Sequence, residues 1–338
     1  YGRYSHPNLV MLEGRLRLME GAQACLVTGS GMSAVFTAML CQLEAGDHVA
    51  ANRMLFSSCH YIITQILPRF GIDYTLVDGA DMKAWAKAIT GKTKLVFVET
   101  PANPTLELTD IAGVAALCKK AKAQLIIDNV FATPLLQHPL ELGADAVIYS
   151  TTKHIDGQGR TLGGAILGRK KFIDGVVLPF ARHTGPHMSP FNAWVLTKSL
   201  ETLHLRVERH CENAQEIAGL LENHPKVARL LYPGFKSHPQ YAIARKQMSH
   251  GGPLIALELN GGKKAAFRFL NALTVFDISN NLGNAKSIAT HPASTTHASI
   301  PAAERRKLGL SDGLIRLSIG IEDVEDLKAD VLAALKAV

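Results

Sequence analysis

The chain has 338 residues, 47% of them apolar, with 36 Lys and Arg against 29 Asp and Glu for a formal charge of +7. Disorder is excluded, because neither low hydrophobicity nor high charge density is present, and the length suggests about two domains. Apolar runs such as Lys94-Leu-Val-Phe-Val98 fall far short of the ~20 residues a membrane span needs. The chain opens on Tyr1 rather than Met, so an N-terminal stretch is expected to precede it, and no signal segment is visible. Ala24–Val27 reads as a strand and Met32–Leu43 as a helix with Met32, Val35, Phe36, Met39 and Leu40 on one face. Further strands are predicted at Asp47–Ala51, Tyr74–Val77, Leu95–Glu99, Leu125–Asp128, Ala146–Tyr149 and Gly164–Leu167, with helical patterns at Asp81–Ile89 and Ile111–Ala121. This is the βαβ rhythm of a mainly parallel sheet buried on both faces. Ser189-Pro190 opens a long helical stretch to about Asn223. A smaller alternation follows: a strand at Leu254–Leu259, a helix at Lys264–Leu273, a strand at Leu314–Ile319 and a closing helix from Asp323. Two α/β domains joined by a long helix are expected.

The five cysteines, odd in number and unpatterned, point to free thiols in a reducing cytosol. No basic run exceeds Arg169-Lys170-Lys171 and no RRM, zinc-finger or KH pattern appears, so the positive charge suits an anionic small molecule better than nucleic acid. Neither a nucleic-acid nor a membrane partner is expected.

Three segments carry chemistry. Thr28-Gly-Ser-Gly-Met-Ser-Ala34 follows a strand and opens a helix, where backbone N–H groups and the helix dipole bind phosphate. Its Gly29-x-Gly31-x-x-Ala34 spacing also fits a dinucleotide fingerprint, so an NAD oxidoreductase is the rival from another class. That rival needs an acidic residue ending the second strand, whereas Asp47 stands at the start of its strand. In the second segment, Leu125-Ile-Ile-Asp128-Asn129, an Asp ends a buried strand, where ligands of α/β sheets bind. The third runs from Ser150-Thr-Thr-Lys153-His154 to Gly157-x-Gly159-Arg160 and Gly163-Gly164, and sets a lysine among hydroxyls and glycines. Such a lysine can lose its proton and form a Schiff base. Ser150-x-x-Lys153 also fits the serine-acylase motif, but the Lys-Thr-Gly element that should accompany it is missing. Together the three segments describe pyridoxal 5'-phosphate (PLP). Its aldehyde needs a lysine, its phosphate a helix N-terminus with hydroxyls, and its ring nitrogen a carboxylate. Lys153, Gly31-Met32 with Ser150 and Thr152, and Asp128 supply these. No metal site is expected: His291 and His297 without further ligands make a poor pair and read as structural histidines.

Over essentially its whole length the chain resembles the Cys/Met-metabolism family of PLP-dependent enzymes. The marks are Tyr1-Gly-Arg3, Ser30-Gly-Met32, Glu99-Thr-Pro-Ala-Asn103-Pro, Asp128-Asn129, Ser150-Thr-Thr-Lys153, His291-Pro-Ala-Ser-Thr-Thr296-His297 and Leu314-Ile-Arg316-Leu-Ser. The resemblance implies the aspartate-aminotransferase-like α/β fold of PLP-dependent transferases. A large PLP-binding domain would span residues 1–205, with residues 1–5 the remnant of an N-terminal arm, and a smaller C-terminal α/β domain would span 206–338. It further implies that Lys153 holds the cofactor and shuttles protons between Cα and Cβ, and that Asp128 pairs with the ring nitrogen. Ser30, Gly31, Met32, Ser150 and Thr152 would bind the phosphate, joined by Tyr1 and Arg3 of a neighbouring subunit. Arg316 would clamp the substrate carboxylate, with Asn103, Asn281 and Thr296 also at the substrate.

Departures from the family pattern narrow the expectation. Phe56 stands where lyases and cystathionine synthases carry a Tyr over the cofactor ring, and Ser58 stands where lyases have Cys. Phe56 can stack but cannot donate a proton. These positions, with His154–Arg160, Gly185–Trp194 and Asn280–Asn284, resemble the O-succinylhomoserine sulfhydrylases. The implied reaction is γ-replacement of succinate by sulfide on O-succinyl-L-homoserine, giving L-homocysteine in the direct-sulfhydrylation route of methionine biosynthesis. A carboxylate leaving group needs little acid help, which suits Phe56. Arg160, Arg53 and Arg182 are candidates to receive the succinyl carboxylate, and acyl preference stays open. Cystathionine γ-synthase and methionine γ-lyase are the alternatives within the family. A cytoplasmic homotetramer, with the site shared across a dimer, is the expected assembly.

Overall fold

The computed structural model describes all residues, Tyr1–Val338. Seven strands form the first sheet: β1 (Ala24–Thr28), β2 (His48–Asn52), β3 (Asp73–Val77), β4 (Thr93–Glu99), β5 (Gln124–Asp128), β6 (Ala146–Ser150) and β7 (Gly164–Gly168). Their spatial order is β1-β7-β6-β5-β4-β2-β3. The strands from β3 to β6 run parallel, and β7 lies antiparallel to both of its neighbours, β6 and β1.

Side chains that alternate along a central strand reach opposite faces of the sheet, and both faces here are covered. Phe97, Ile126 and Ile148 pack beneath helix α2 (Gly31–Leu40) with Val35 and Met39. Val96, Val98, Leu125 and Ile127 face the other way, onto Trp85, Ile111 and Val114. An N-terminal helix α1 (Pro7–Glu20), not anticipated from the sequence, buries Leu9, Leu12 and Leu16 against the β7 side. Pro7 opens α1, and Gly21, at φ 70°, closes it in the left-handed region that favours glycine.

The second sheet, in order β10-β11-β12-β9-β8, comprises β8 (Val227–Leu231), β9 (Leu254–Leu259), β10 (Asp277–Ile278), β11 (Ile288–Thr290) and β12 (Leu314–Ser318). Only β10 and β11 are parallel, so this sheet is antiparallel in character. Ile255, Leu257, Ile315 and Leu317 pack beneath the helices Leu203–Leu221, Gly262–Ala272 and Val324–Lys336. Leu254, Ala256 and Leu314 face the opposite way and meet Met54, Ala102, Leu106 and Phe131 from the loops at the ends of the first sheet. That apolar seam fixes one sheet against the other.

The continuous helical stretch expected from Ser189 to Asn223 is instead two helices, Pro190–Leu200 and Leu203–Leu221. At the break, Ser199 O is satisfied by Arg206 Nη2 at 3.0 Å, and Arg206 Nε donates to Thr202 Oγ1 at 3.2 Å. The second helix runs through the expected division at residues 205/206. Leu203, Val207 and Cys211 join the core of the first sheet, while Ala214, Ile217 and Leu221 join that of the second. Helix α2 stops at Leu40 rather than Leu43, where Gln42 Nε2 turns back onto Ala38 O at 2.8 Å. All five cysteines are free thiols.

Candidate active site

The C-terminal ends of the parallel strands open into a cavity of about 250 Å³, bounded below by β4, β5 and β6 and on the far side by the second sheet. Asp128 ends β5 and Ser150 ends β6. The parallel twist leaves their side chains at the crevice where such sheets bind ligands. The first turn of α2 faces Ser150 so closely that a Cβ on Gly31 would lie 2.6 Å from the Ser150 Cβ. Only glycine permits this approach, and it leaves free N–H groups at the helix start. Ser30 Oγ accepts from Ser33 N at 3.1 Å as the helix cap, and Ser30, Met32 and Thr152 line the same end of the cavity.

Lys153 lies just past β6. Its Nζ donates to Asn281 Oδ1 at 2.6 Å, across to the second-sheet half of the molecule. Burial, helped by the Arg316 charge, lowers the Lys153 pKa to about 8. The loop beyond it is held by Arg206, whose guanidinium donates to His154 O at 2.7 Å and Ile155 O at 3.2 Å. His154, left without a role by the sequence, is buried edge-to-face against His210 with ring centroids 5.9 Å apart. Burial holds its ring neutral, far below the usual histidine range.

The lowered pKa sets how the Lys153 amine reacts in the cofactor-free protein. A neutral amine is the nucleophile, so capture of an aldehyde such as pyridoxal by Lys153 should rise about tenfold per pH unit below its pKa and flatten above it. The bend is expected near pH 8. A rate at Lys153 that still climbs as steeply beyond pH 9, as for an ordinary lysine of pKa about 10.4, would contradict the burial effect.

Asp128 is buried and accepts from Val130 N at 3.1 Å through Oδ1, and no protein donor meets Oδ2. Burial raises its pKa. The Phe56 ring lines the cavity, with its backbone N–H donated to Glu99 Oε2 at 2.7 Å. Arg316, on β12, is 1% exposed and lies beyond 4 Å of any carboxylate. Its Nη1 donates to Asn103 Oδ1 at 2.9 Å and its Nη2 to Asn281 O at 2.9 Å, while Nε has no partner. A buried guanidinium without an ion pair is costly unless a ligand supplies the anion.

Ser30, Gly31, Met32, Phe56, Asn103, Asp128, Ser150, Thr152, Lys153 and Arg316 thus come together around one cavity, and Asn281 touches it through Lys153. Tyr1 and Arg3 do not: Arg3 donates to Arg182 O, and Tyr1, whose OH accepts from Arg3 Nε at 3.4 Å, is 84% exposed. Thr296 also stands outside the lining, its Oγ1 paired with His297 Nδ1 at 2.8 Å. None of the three arginines named for the succinyl carboxylate lines the cavity. Arg53 pairs with Asp78 at 2.5 Å, Arg160 is tied to buried Asp156 and to Ser199, and Arg182 sits against the N-terminal segment. Ser58 faces a neighbouring surface cleft instead. The ring nitrogens of His291 are taken by Ser294 Oγ and Asp312 O. Glu99 was missed, although it and Asp128 end adjacent strands in register.

A family model described as Cys/Met metabolism PLP-dependent enzyme matches residues 1–336. An O-succinylhomoserine sulfhydrylase of Mycobacterium tuberculosis is 51% identical, the match covering 99% of this chain and 84% of that protein. One from Pseudomonas aeruginosa is 43% identical, covering 100% and 83%. An L-methionine gamma-lyase of Pseudomonas putida is likewise 43% identical, covering 100% and 85%. Among solved structures, metB from Corynebacterium glutamicum superposes with a TM-score of 0.96 at 39% identity, covering 99% of this chain and 86% of that one.

Proposed function

The chain belongs to the Cys/Met-metabolism family of PLP-dependent enzymes, and on that premise we propose that it catalyses γ-replacement, converting O-succinyl-L-homoserine and sulfide to L-homocysteine and succinate. The observation that carries this reading is the placement of Lys153, Asp128 and Arg316 around one cavity. The 51% identity to a sulfhydrylase, against 43% to a methionine gamma-lyase, supports the choice of reaction.

The residues fit the cofactor. The close approach of Gly31 to Ser150 leaves a backbone cradle for a phosphate, the free Oδ2 of Asp128 suits a protonated ring nitrogen, and Lys153 offers an amine of lowered pKa to the aldehyde. When bound, PLP supplies an electron sink for the pair left behind as protons depart from the substrate. Lys153 Nζ takes the proton from Cα, then serves Cβ, and returns a proton after sulfide has replaced succinate at Cγ. Asn281 Oδ1 gives that amine a defined position whenever it is free. Asp128 keeps the ring nitrogen protonated, and Arg316 with Asn103 orients the substrate by its α-carboxylate. Phe56, which lines the cavity, would cover the ring face without offering a proton, and that suffices for a leaving group that departs as a stable carboxylate.

We place the division of the chain near residues 205/206, with the cofactor held mainly by the first part. Tyr1 and Arg3 lie away from their own chain's cavity, which supports their serving a neighbour's phosphate in a shared-site dimer. Val10, Met11, Leu18, Phe191 and Trp194 are exposed apolar side chains of the kind an interface covers. We propose a homotetramer built from two such dimers. No helix is long and apolar enough to cross a membrane, in keeping with our assignment of the enzyme to the cytoplasm.

Product analysis tests the reaction. With O-succinylhomoserine and sulfide, homocysteine should dominate; with cysteine as acceptor little cystathionine should form, and without acceptor little 2-oxobutyrate. Dominant cystathionine would make the enzyme a cystathionine γ-synthase, and dominant 2-oxobutyrate an eliminating lyase.

A further inference from the structure

Glu99 ends β4 beside Asp128, to which it is paired across the two strands. It is 4% exposed and forms no salt bridge, yet its carboxylate is fully engaged. Oε2 accepts from Phe56 N and Oε1 from Asn103 N, both at 2.7 Å. The two donors come from separate loops with separate tasks at the cavity. Phe56 presents its ring to the cofactor side, and Asn103 Oδ1 receives Arg316 Nη1 at 2.9 Å. A single carboxylate therefore closes a chain of contacts from Phe56 through Glu99 and Asn103 to Arg316. Its backbone is fixed as well: Glu99 N donates to Asn52 Oδ1 at 3.0 Å, and Asn52 Nδ2 donates to Glu99 O at 3.1 Å.

We infer that Glu99 is a positioning residue that couples the aromatic cover of the cofactor to the clamp on the substrate carboxylate, and that it does so as an anion. This rests on the proposed reading of the cavity. The geometry favours the ionised form: each oxygen accepts from a backbone N–H, and the hydroxyl oxygen of a protonated carboxyl is the poorer acceptor. Burial first, and then the neighbouring Asp128, push its pKa up to about 8 against the two N–H groups and the Arg316 charge, so the anion is the form that prevails above that pH. A neutral amide of the same size must turn its NH₂ toward one of the two N–H donors and so release one loop. A carboxylate that merely capped the loop after β4 would not bind Phe56 as well.

The test uses the PLP-loaded protein and its Glu99→Gln variant. Three quantities are read: the melting transition, the titration of the visible cofactor band with pH, and the affinity for L-norleucine, an amino acid with no γ leaving group. Glu99→Gln should keep the band and bind L-norleucine about 10- to 100-fold more weakly, as expected for losing a hydrogen bond to a charged group. Its band should also titrate at lower pH, because removing a nearby negative charge destabilises the protonated base on the cofactor. If Glu99→Gln does not melt cooperatively, Glu99→Asp takes its place. It keeps the charge but cannot span both donors, so it should weaken L-norleucine binding with the titration close to wild type. A folded variant with wild-type L-norleucine affinity overturns the inference. Absence of any visible band in the wild type reconstituted with PLP would instead overturn the cofactor reading beneath it.

Discussion

Replacing Lys153 by alanine is expected to lower turnover by about 10²- to 10⁴-fold or more, the range for losing a general acid–base, with a further loss because the same amine holds the cofactor. The fold should survive. Lys153 Nζ makes one side-chain hydrogen bond, to Asn281, and that amide retains a neighbour in Asn284 at 3.4 Å. Two measurements separate chemistry from collapse. The visible band of the reconstituted protein should no longer be fixed by borohydride reduction, and an added small amine should restore part of the rate, because a free base can enter the space the side chain vacated. A Lys153→Ala protein with more than a tenth of wild-type turnover would remove Lys153 from the reaction.

Arg316→Leu should be nearly as damaging, but at a different step. Truncating one partner of a buried, hydrogen-bonded charge pair costs about 2–5 kcal/mol, or roughly 30- to 5,000-fold in kcat/KM. Because Arg316 touches the cavity from β12 while Lys153, Asp128 and the start of α2 belong to the first sheet, cofactor binding should be retained. Arg316→Lys should recover little, since an ammonium cannot reproduce the planar fork that meets Asn103 and the Asn281 carbonyl at the same time. Steady-state kinetics with O-succinylhomoserine, alongside PLP titration of each variant, checks both statements. An unchanged KM in Arg316→Leu would require another cation to hold the carboxylate.

The part of this site that could be read from residues alone is the part where local chemistry is unusual. A lysine among hydroxyls and glycines, an aspartate ending an apolar run and a glycine at the start of a helix each break a local pattern for which packing gives no reason, and Lys153, Asp128 and Gly31 do meet. Arg316 was reached only through family resemblance, because an arginine inside Leu-Ile-Arg-Leu-Ser has the pattern of a charge on an edge strand; in fact β12 lies between β9 and β11. Glu99 carries the same signal as Asp128, a carboxylate closing a buried strand, but its partners are backbone N–H groups of two loops, Phe56 and Asn103, which no residue pattern announces. The arginines proposed for the succinyl group show the opposite limit. Their charge is visible in sequence, but Asp78 and Asp156, which occupy Arg53 and Arg160, become their partners only through folding. The break at Glu201–Thr202 was hidden because both flanking segments are good helix formers, and the arginine that takes up the freed carbonyl lies beyond the break.

The two ends of the cavity reach completion at different moments of synthesis. All seven strands of the first sheet, with Lys153, Asp128 and Gly31, are complete at Gly168 and the helices that follow close its core, whereas Arg316 lies on the last strand of the chain. Because folding during translation proceeds from the N-terminal side, the lysine end of the cavity is expected to form before the end that would clamp a carboxylate.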